Sequence, residues 1–357
     1  MKGTVRLVTI MGIAIDIHVT FFLLLGVFFL LLGFKGIILI LGVFFFVTMH
    51  EFCHSIAAAY FGIKVKKITL LPIGGVASMS EMPKKPYQEL IISLAGPVSN
   101  FLVVVIFYYP LYLFLGKETL MYPFLVLTGQ AAYAGQLNVI AHIYWINLIL
   151  AVFNMIPAFP MDGGRVLRAI LSSRMSYREA TKIAVGLGHI FALLFAYFGI
   201  VYGHIFLLLV AVFIYMAASS EGAQVEVRET IKKYRVSDVL ADDFVYIAED
   251  ATLAKVLELM FHTHQEDYPV IKDDILKGMA TRREIMKALH ERDKNTCAGD
   301  IMRKDIPSVK VTDQLHFVQR LMHKYATNAM PVKKDYKIIG VVTIDDINRV
   351  YMMVHDQ

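Results

Sequence analysis

Cysteine is scarce in this chain of 357 residues, since only Cys53 and Cys297 occur. Two thiols, one in each half of the chain, exclude a disulfide framework and a zinc site built from cysteine, so a metal site must use histidine and carboxylate ligands. Charge is also scarce: 18% of the residues are charged and 57% are hydrophobic, which excludes an ordinary soluble protein. The net charge of +5 is spread without a basic run, so no nucleic-acid partner is expected.

The hydrophobic residues are distributed unevenly. We predict a membrane-embedded domain over residues 1–222, a linker over 223–235 and a soluble domain over 236–357, where charged residues are frequent. Apolar stretches long enough to cross a bilayer are 14–33, 36–62, 88–115, 138–156, 180–201 and 203–219. The predicted fold class is therefore a polytopic α-helical membrane domain of about six transmembrane helices, followed by a soluble α/β domain.

Basic residues indicate how these spans are oriented in a cell membrane. Lysine and arginine gather near the N-terminus, in 64–85 and in 165–182, and the intervening loops offer little beyond Lys35 and Lys117. The positive-inside rule then places both termini and the soluble domain in the cytoplasm. Residues 116–137 fit no span, because the apolar piece Tyr122–Thr128 is too short; they are predicted to form a surface or re-entrant segment, which could change the span count by one.

The second span contains the motif H-E-x-x-H at residues 50–54. On a helix, positions i and i+4 lie about 40° apart around the axis, so His50 and His54 can reach one metal ion. Glu51 lies beside the first histidine, where its carboxylate can accept a proton from a metal-activated water. Buried, hydrogen-bonded polar side chains are the alternative, but charged groups at the bilayer centre cost about 2.5–3.5 kcal/mol each on the insertion scale, which favours a metal or a polar cavity.

A third metal ligand is expected, because catalytic zinc usually keeps three protein ligands and one open position. The best candidate is Asp162, which follows the fourth span in the stretch 154–165. Two prolines and two glycines interrupt the helix there, and such a break at membrane depth is tolerated only where the backbone lines a cavity or is buried in protein.

The pairing of HEFCH with NMIPAFPMDGGR resembles the site-2 protease family of intramembrane metalloproteases, whose patterns are H-E-x-x-H and N-x-x-P-x-x-x-x-D-G. Supporting matches are LPIGG at 71–75 and AGPVSN at 95–100. The resemblance implies one zinc ion per chain held by His50, His54 and Asp162, with Glu51 as general base. It also implies that Asn154 stabilises the oxyanion or the substrate backbone. The implied substrate is a transmembrane protein cut within the lipid bilayer.

Residues 66–79 mix β-branched residues with Pro72 and the pair Gly74 and Gly75, which predicts a short hairpin or extended loop. An exposed strand edge there could pair with the backbone of an unwound substrate by strand addition. A plain connecting loop is the alternative.

The soluble part contains an internal repeat at an offset of 62 residues, with units at about 236–291 and 298–353. Each unit is predicted to form a short strand, an amphipathic helix, two further strands and a closing helix. Matching segments are 238–240 with 300–302, 268–270 with 330–332, and 278–281 with 340–343. This repeat resembles a tandem pair of cystathionine-β-synthase (CBS) domains, the adenosine-ligand sensing module.

The second CBS unit also matches the family's ribose-binding pattern G-x-x-T-x-x-D at 340–346. The resemblance implies that Asp346 accepts ribose hydroxyls and that Thr343 touches phosphate of ATP or AMP. The first unit has Glu284 at the aspartate position, which departs from the pattern. A pair that binds no nucleotide and serves as a homodimer or docking surface is the alternative.

Two other function classes fit parts of this sequence. A transporter or channel regulated by CBS domains is one, because polar residues inside a span also mark ion pathways. Such a protein needs no glutamate beside the first of two histidines at i and i+4, nor an Asp-Gly in a broken helix. The other is a catalytically dead scaffold, which predicts the loss of a motif residue, and no motif residue is lost. The favoured prediction is an intramembrane zinc endopeptidase regulated by adenine nucleotide.

Overall fold

The protein is described by a computed structural model covering residues 3–72, 74–79, 83, 85–127, 138–240, 244–263, 265–273, 275–335 and 337–355. Contacts within the chain divide it into two compact units, Met1–Gly222 and Ala223–Gln357.

In the part that the structure describes, the first unit contains a four-stranded sheet, seven complete helices and the first part of an eighth, which continues into the second unit. Its strands are β1 (Thr4–Ile10), β2 (Ile13–His18), β3 (Val65–Leu71) and β4 (Gly74–Met79), in the order β1-β2-β3-β4. Strands β2 and β3 are parallel, and the other neighbours are antiparallel. The hairpin predicted over 66–79 is present as β3 and β4; Ile73, at its turn, lies outside the described residues.

The predicted start of the first span at residue 14 is wrong. Residues Ile13–His18 form the buried strand β2, and the helix begins at Thr20. Isoleucine at every second position, Ile13, Ile15 and Ile17, matches the period of a strand, and these side chains join a core with residues of the first two helices. The apolar run concealed this shorter period.

The helices of the first unit are α1 (Thr20–Leu32), α2 (Phe34–Tyr60), α3 (Pro86–Leu115), α4 (Lys117–Leu127), α5 (Val139–Asn154), α6 (Asp162–Leu171), α7 (Tyr177–Val201) and α8 (Ile205–Ile231). Four of them, α2, α3, α7 and α8, are long and apolar enough to cross a membrane, whereas α1 and α5 are apolar but have only 13 and 16 residues. Six spans therefore stay a prediction. The segment predicted at 122–128 is helical through Leu127, and residues 128–137 lie outside the described part.

The sheet packs directly against α2. Phe21 of α1 meets Phe44 of α2 edge to face at 4.6 Å between ring centroids, and Ala58 of α2 and Ile68 of β3 are fully buried in the same core. Burial of this apolar surface fixes the position of α2 relative to the hairpin. The helix that carries the H-E-x-x-H motif thus packs against the sheet.

The second unit contains the two predicted repeats. The first comprises β5 (Ile247–Ala248), α9 (Leu253–His262), β6 (Tyr268–Lys272), β7 (Ile275–Ala280) and α10 (Arg282–Glu291). A short helix, α11 (Ala298–Ile301), precedes β8 (Val309–Lys310), α12 (Leu315–Tyr325), β9 (Ala329–Lys334), β10 (Lys337–Thr343) and α13 (Ile344–His355) of the second repeat. In both repeats the middle strand pairs in parallel with the first strand and antiparallel with the third. The predicted linker is helical up to Ile231, because α8 continues into it.

Candidate metal centre

Helix α2 and the first residue of α6 bring three potential metal ligands together. His50 Nε2 lies 3.1 Å from His54 Nε2, and each of these nitrogens lies 3.1 Å from Asp162 Oδ2. The two imidazoles share one face of α2 because they are four residues apart. All three side chains are largely buried, with exposed fractions of 5%, 7% and 16% for His50, His54 and Asp162. The structure therefore brings Asp162 to two histidines that precede it by 112 and 108 positions in the chain.

The geometry of this triangle fits zinc. Zinc bound tetrahedrally by nitrogen and oxygen at about 2.0–2.1 Å has its ligand atoms about 3.3 Å apart, close to the 3.1 Å edges observed. His54 Nδ1 donates a hydrogen bond to the carbonyl of Ile92 at 2.6 Å. A neutral His54 then keeps a lone pair on Nε2, and this nitrogen faces the carboxylate oxygen of Asp162. Two acceptors that face each other in this way are stabilised by a cation bound between them.

Gly96 leaves the space that such an ion needs. A Cβ atom at this position of α3 would lie 2.3 Å from His54 Nε2 and 2.6 Å from His50 Nε2. The α3 backbone therefore approaches both nitrogens as closely as a residue without a side chain allows. The role of Gly96 was not predicted from the sequence, although the segment 95–100 was singled out; a glycine inside a span is the only signal.

Glu51 lies beside the hairpin. A Cβ atom on Gly75 of β4 would come within 2.6 Å of Glu51 Cγ, so the glycine lets the edge strand pass directly over the glutamate. Glu51 is half-buried and directly follows His50 on α2. The hairpin and the general base predicted from separate motifs thus meet.

Two glycines explain how Asp162 reaches the histidines. A Cβ atom on Gly163 would lie 2.3 Å from the Ile156 carbonyl oxygen, and one on Gly164 would lie 2.5 Å from the backbone of Ala158. The first turn of α6 therefore packs against the loop that follows α5, and only glycine permits this approach. Asp162, the first residue of α6, is held at the metal site by this packing.

A buried charge network anchors the other end of α6. Arg168 donates hydrogen bonds to Glu89 Oε1 at 2.9 and 2.5 Å and to Glu221 Oε1 at 3.1 Å. Its guanidinium also lies 4.7 Å from the ring centroids of both Phe159 and Tyr177. The network links α3, α6 and α8 and was not anticipated, because no motif marks these residues in the sequence.

Asn154 is the last residue of α5 and is half-buried. Within the described part of the chain, its side chain makes no hydrogen bond to His50, His54 or Asp162. Asn154 thus lies at the start of the segment that leads to Asp162.

The residues predicted to bind nucleotide form a helix cap. Asp346 Oδ2 accepts hydrogen bonds from the backbone N–H and hydroxyl of Thr343, at 2.9 and 2.7 Å, and the Thr343 hydroxyl in turn accepts from the Asp346 N–H at 3.1 Å. In the first repeat, the Thr281 hydroxyl donates a hydrogen bond to Glu284 Oε2, without the backbone hydrogen bonds of the Thr343 cap. Nearby, burial raises the pKa of the Asp267 carboxyl, which accepts a backbone hydrogen bond from Arg282 at 2.8 Å.

Comparisons with known proteins agree with this arrangement. Residues 38–195 match the model of peptidase family M50, and residues 236–291 and 298–352 match the CBS domain. A zinc metalloprotease of Methanocaldococcus jannaschii is 34% identical over 98% of this chain and 96% of its own length. A candidate zinc metalloprotease of Mycobacterium tuberculosis is 24% identical over 89% of this chain and 80% of its own.

Among solved structures, the site-2 protease from Methanocaldococcus jannaschii is similar, with 38% identity and a TM-score of 0.45. The match covers 61% of this chain and 95% of that one. Because the first metalloprotease above is aligned over nearly the whole chain, the family assignment extends to both units. This chain therefore belongs to peptidase family M50, the site-2 proteases, and is a membrane zinc metalloprotease with a tandem pair of CBS domains.

Proposed function

We propose that this protein is an intramembrane endopeptidase that hydrolyses peptide bonds within or near the transmembrane segments of other membrane proteins. The observation that carries the proposal is the convergence of Asp162, at the start of α6, with His50 and His54, which flank Glu51 on α2. Helix α2 is long and apolar enough to span a bilayer. Polar groups at that depth are costly unless they serve a site.

In this proposal, His50, His54 and Asp162 hold one zinc ion per chain. Zinc bound there supplies Lewis-acid chemistry, polarising the scissile carbonyl and making water more acidic. Glu51 accepts the proton of the attacking water and then delivers it to the leaving amine. The half-buried position of Glu51 under β4 keeps this carboxylate close to the reacting atoms while limiting the access of bulk water.

The outer edge of β4 is the proposed substrate-binding element. In the described sheet β4 is the last strand, so one side of its backbone pairs with no other strand. A substrate segment unwound from its helix could add to that edge by main-chain hydrogen bonds, and Gly75 would bring it next to Glu51. Asn154, at the end of α5, is proposed to donate its amide to the substrate carbonyl or to the oxyanion.

The decisive experiment is cleavage of a model single-span substrate by purified protein in detergent, comparing wild type with Glu51→Gln. Glu118→Gln is the matched control, because Glu118 is exposed at the start of α4. We expect wild type and control to cut, Glu51→Gln to be inactive, and all three to hold about one zinc per chain. A wild type that holds no metal and cuts no substrate would contradict the proposal and favour a transporter, tested by ion flux in liposomes.

We further propose that adenine nucleotide binds the CBS pair and regulates the protease. The cap at Thr343 and Asp346 supports this, because Asp346 Oδ1 is not used in it and can accept a ribose hydroxyl. Titration calorimetry with AMP and ATP should detect binding that Asp346→Asn abolishes and Asp345→Asn, at the exposed neighbour, leaves intact. Equal binding by both variants would place the ligand elsewhere.

The cellular arrangement is part of the same proposal. Residues 1–222 are the membrane domain, 223–235 the linker and 236–357 the CBS pair, with both termini in the cytoplasm and several passes through the membrane. Protease protection of sealed vesicles, read with tags at each terminus, tests this orientation. The homodimer through the CBS pair is tested by light scattering of the purified protein.

A further inference from the structure

Four buried polar atoms of the first unit have no hydrogen-bond partner among the described residues. They are His50 Nδ1, Asn100 Nδ2, and both Nδ2 and Oδ1 of Asn147. Asn100 and Asn147 are 0% and 2% exposed, and His50 is also buried. Buried amides are costly without partners, so a group of such atoms in an apolar bundle requires an explanation.

The three side chains lie on three helices that pack against one another, α2, α3 and α5. Helix α3 runs antiparallel to α2, because Ile92 contacts His54 and Gly96 lies against both His50 and His54. Asn100 follows Gly96 by four residues and shares its helix face. It therefore lies about 6 Å beyond Gly96, next to the turn of α2 that precedes His50.

Asn147 of α5, like Asn100, lies next to the turn of α2 that precedes His50. A Cβ on Gly42 of α2 would meet Ile143 Cδ1 of α5 at 2.3 Å, and the chain beyond α5 returns to His50 through Asp162. Helices α2 and α5 therefore run in the same direction. Asn147 follows Ile143 by one helical turn, so it lies beside the α2 residues one turn after Gly42. That position is about 6 Å along α2 from His50.

We propose that one or two water molecules bind between Asn100 and Asn147 and accept the Nδ1–H of His50. A buried water needs two to four polar partners, and these four atoms supply both donors and acceptors. The network would fix the tautomer and orientation of His50, as the Ile92 carbonyl does for His54. Asn100 and Asn147 are then positioning residues that act on the metal through His50. The inference rests on the proposed zinc site.

The test is zinc affinity of the full-length protein in detergent, measured by competition with a chelating dye. We expect Asn147→Leu, which can neither donate nor accept, to weaken zinc binding by about 10–100-fold, and Asn100→Leu to act in the same direction. Asn147→Ser, whose short hydroxyl still binds water, should stay close to wild type. The control Ile143→Val removes one methylene from the α2–α5 interface and should leave zinc affinity unchanged.

A second measurement separates this effect from misfolding. The thermal midpoint of the zinc-free protein should be equal or higher in Asn147→Leu than in wild type, because an apolar side chain removes the cost of burying the amide. Unchanged zinc affinity in both leucine variants would overturn the inference. Equal weakening by leucine and serine would also overturn the inference, because a serine hydroxyl can still bind the proposed water. A wild type without zinc would instead overturn the proposed function.

Discussion

Substitution of Gly96 by alanine tests the metal centre most directly. The added Cβ would lie 2.3 Å from His54 Nε2 and 2.6 Å from His50 Nε2, whereas unstrained carbon contacts begin at about 3.5 Å. Relief of this overlap requires α3 or the imidazoles to move by about 1 Å, several times the ±0.2 Å within which metal–ligand distances are held. We expect Gly96→Ala to lose most of its zinc and its cleavage activity together.

Intrinsic helix preference alone predicts that Gly96→Ala stabilises the protein. Gly96 lies inside α3, and alanine is favoured over glycine in a helix interior by about 1 kcal/mol. Gly186 of α7 provides the matched control, because a Cβ there would meet nothing within 4 Å. Gly186→Ala should therefore keep zinc and activity, with unchanged or higher thermal stability.

The assay combines zinc content by elemental analysis, cleavage of the single-span substrate and the thermal midpoint in detergent. A Gly96→Ala protein with full zinc content and wild-type cleavage would refute the reasoning, because it would mean that α3 does not lie against the two nitrogens. Loss of zinc together with general unfolding is distinguished by the thermal midpoint. The control variant calibrates how a helical glycine responds where no site is involved.

Three further predictions follow from the described contacts. Gly75→Ala presses on Glu51 and should lower kcat while zinc content stays at the wild-type level; loss of zinc would contradict a selective effect. Arg168→Gln leaves Glu89 buried without its partner and should destabilise the protein by about 3–5 kcal/mol, seen as a lower thermal midpoint. Asp267→Asn removes a carboxyl whose pKa is raised by burial. In wild type that carboxyl favours folding most below its ordinary pKa of about 3.9 and less as pH rises through the raised value, so the variant should be more stable at neutral pH and less pH-dependent.

Local patterns were enough for the parts of this protein that depend on a short stretch of chain. The H-E-x-x-H motif sets the spacing of His50 and His54, and the pitch of α2 places the two imidazoles on one face of the helix. The tandem repeat likewise predicted the order of elements in both CBS units, because each unit folds from consecutive segments. The hairpin at 66–79 followed from its glycine pair and β-branched residues.

Other features could not be predicted, because they depend on which segments meet. Residues Ile13–His18 form a strand because β3 is available to pair with it, and the apolar composition alone favoured a helix. Nothing local indicates that Gly75 approaches Glu51 or that Arg168 meets Glu89, which precedes it by 79 positions.

The sequence by itself determined the type of chemistry, since it placed the metal-binding side chains, the candidate base and the interrupted helix in an apolar chain. Only the tertiary structure decided the site, because zinc requires its ligands within a few tenths of an ångström. That precision comes from glycines that let α3, α6 and β4 approach, and from packing against the sheet. These contacts join distant segments and leave no periodic signal in the chain, so the motif predicts the ligands whereas the fold positions them.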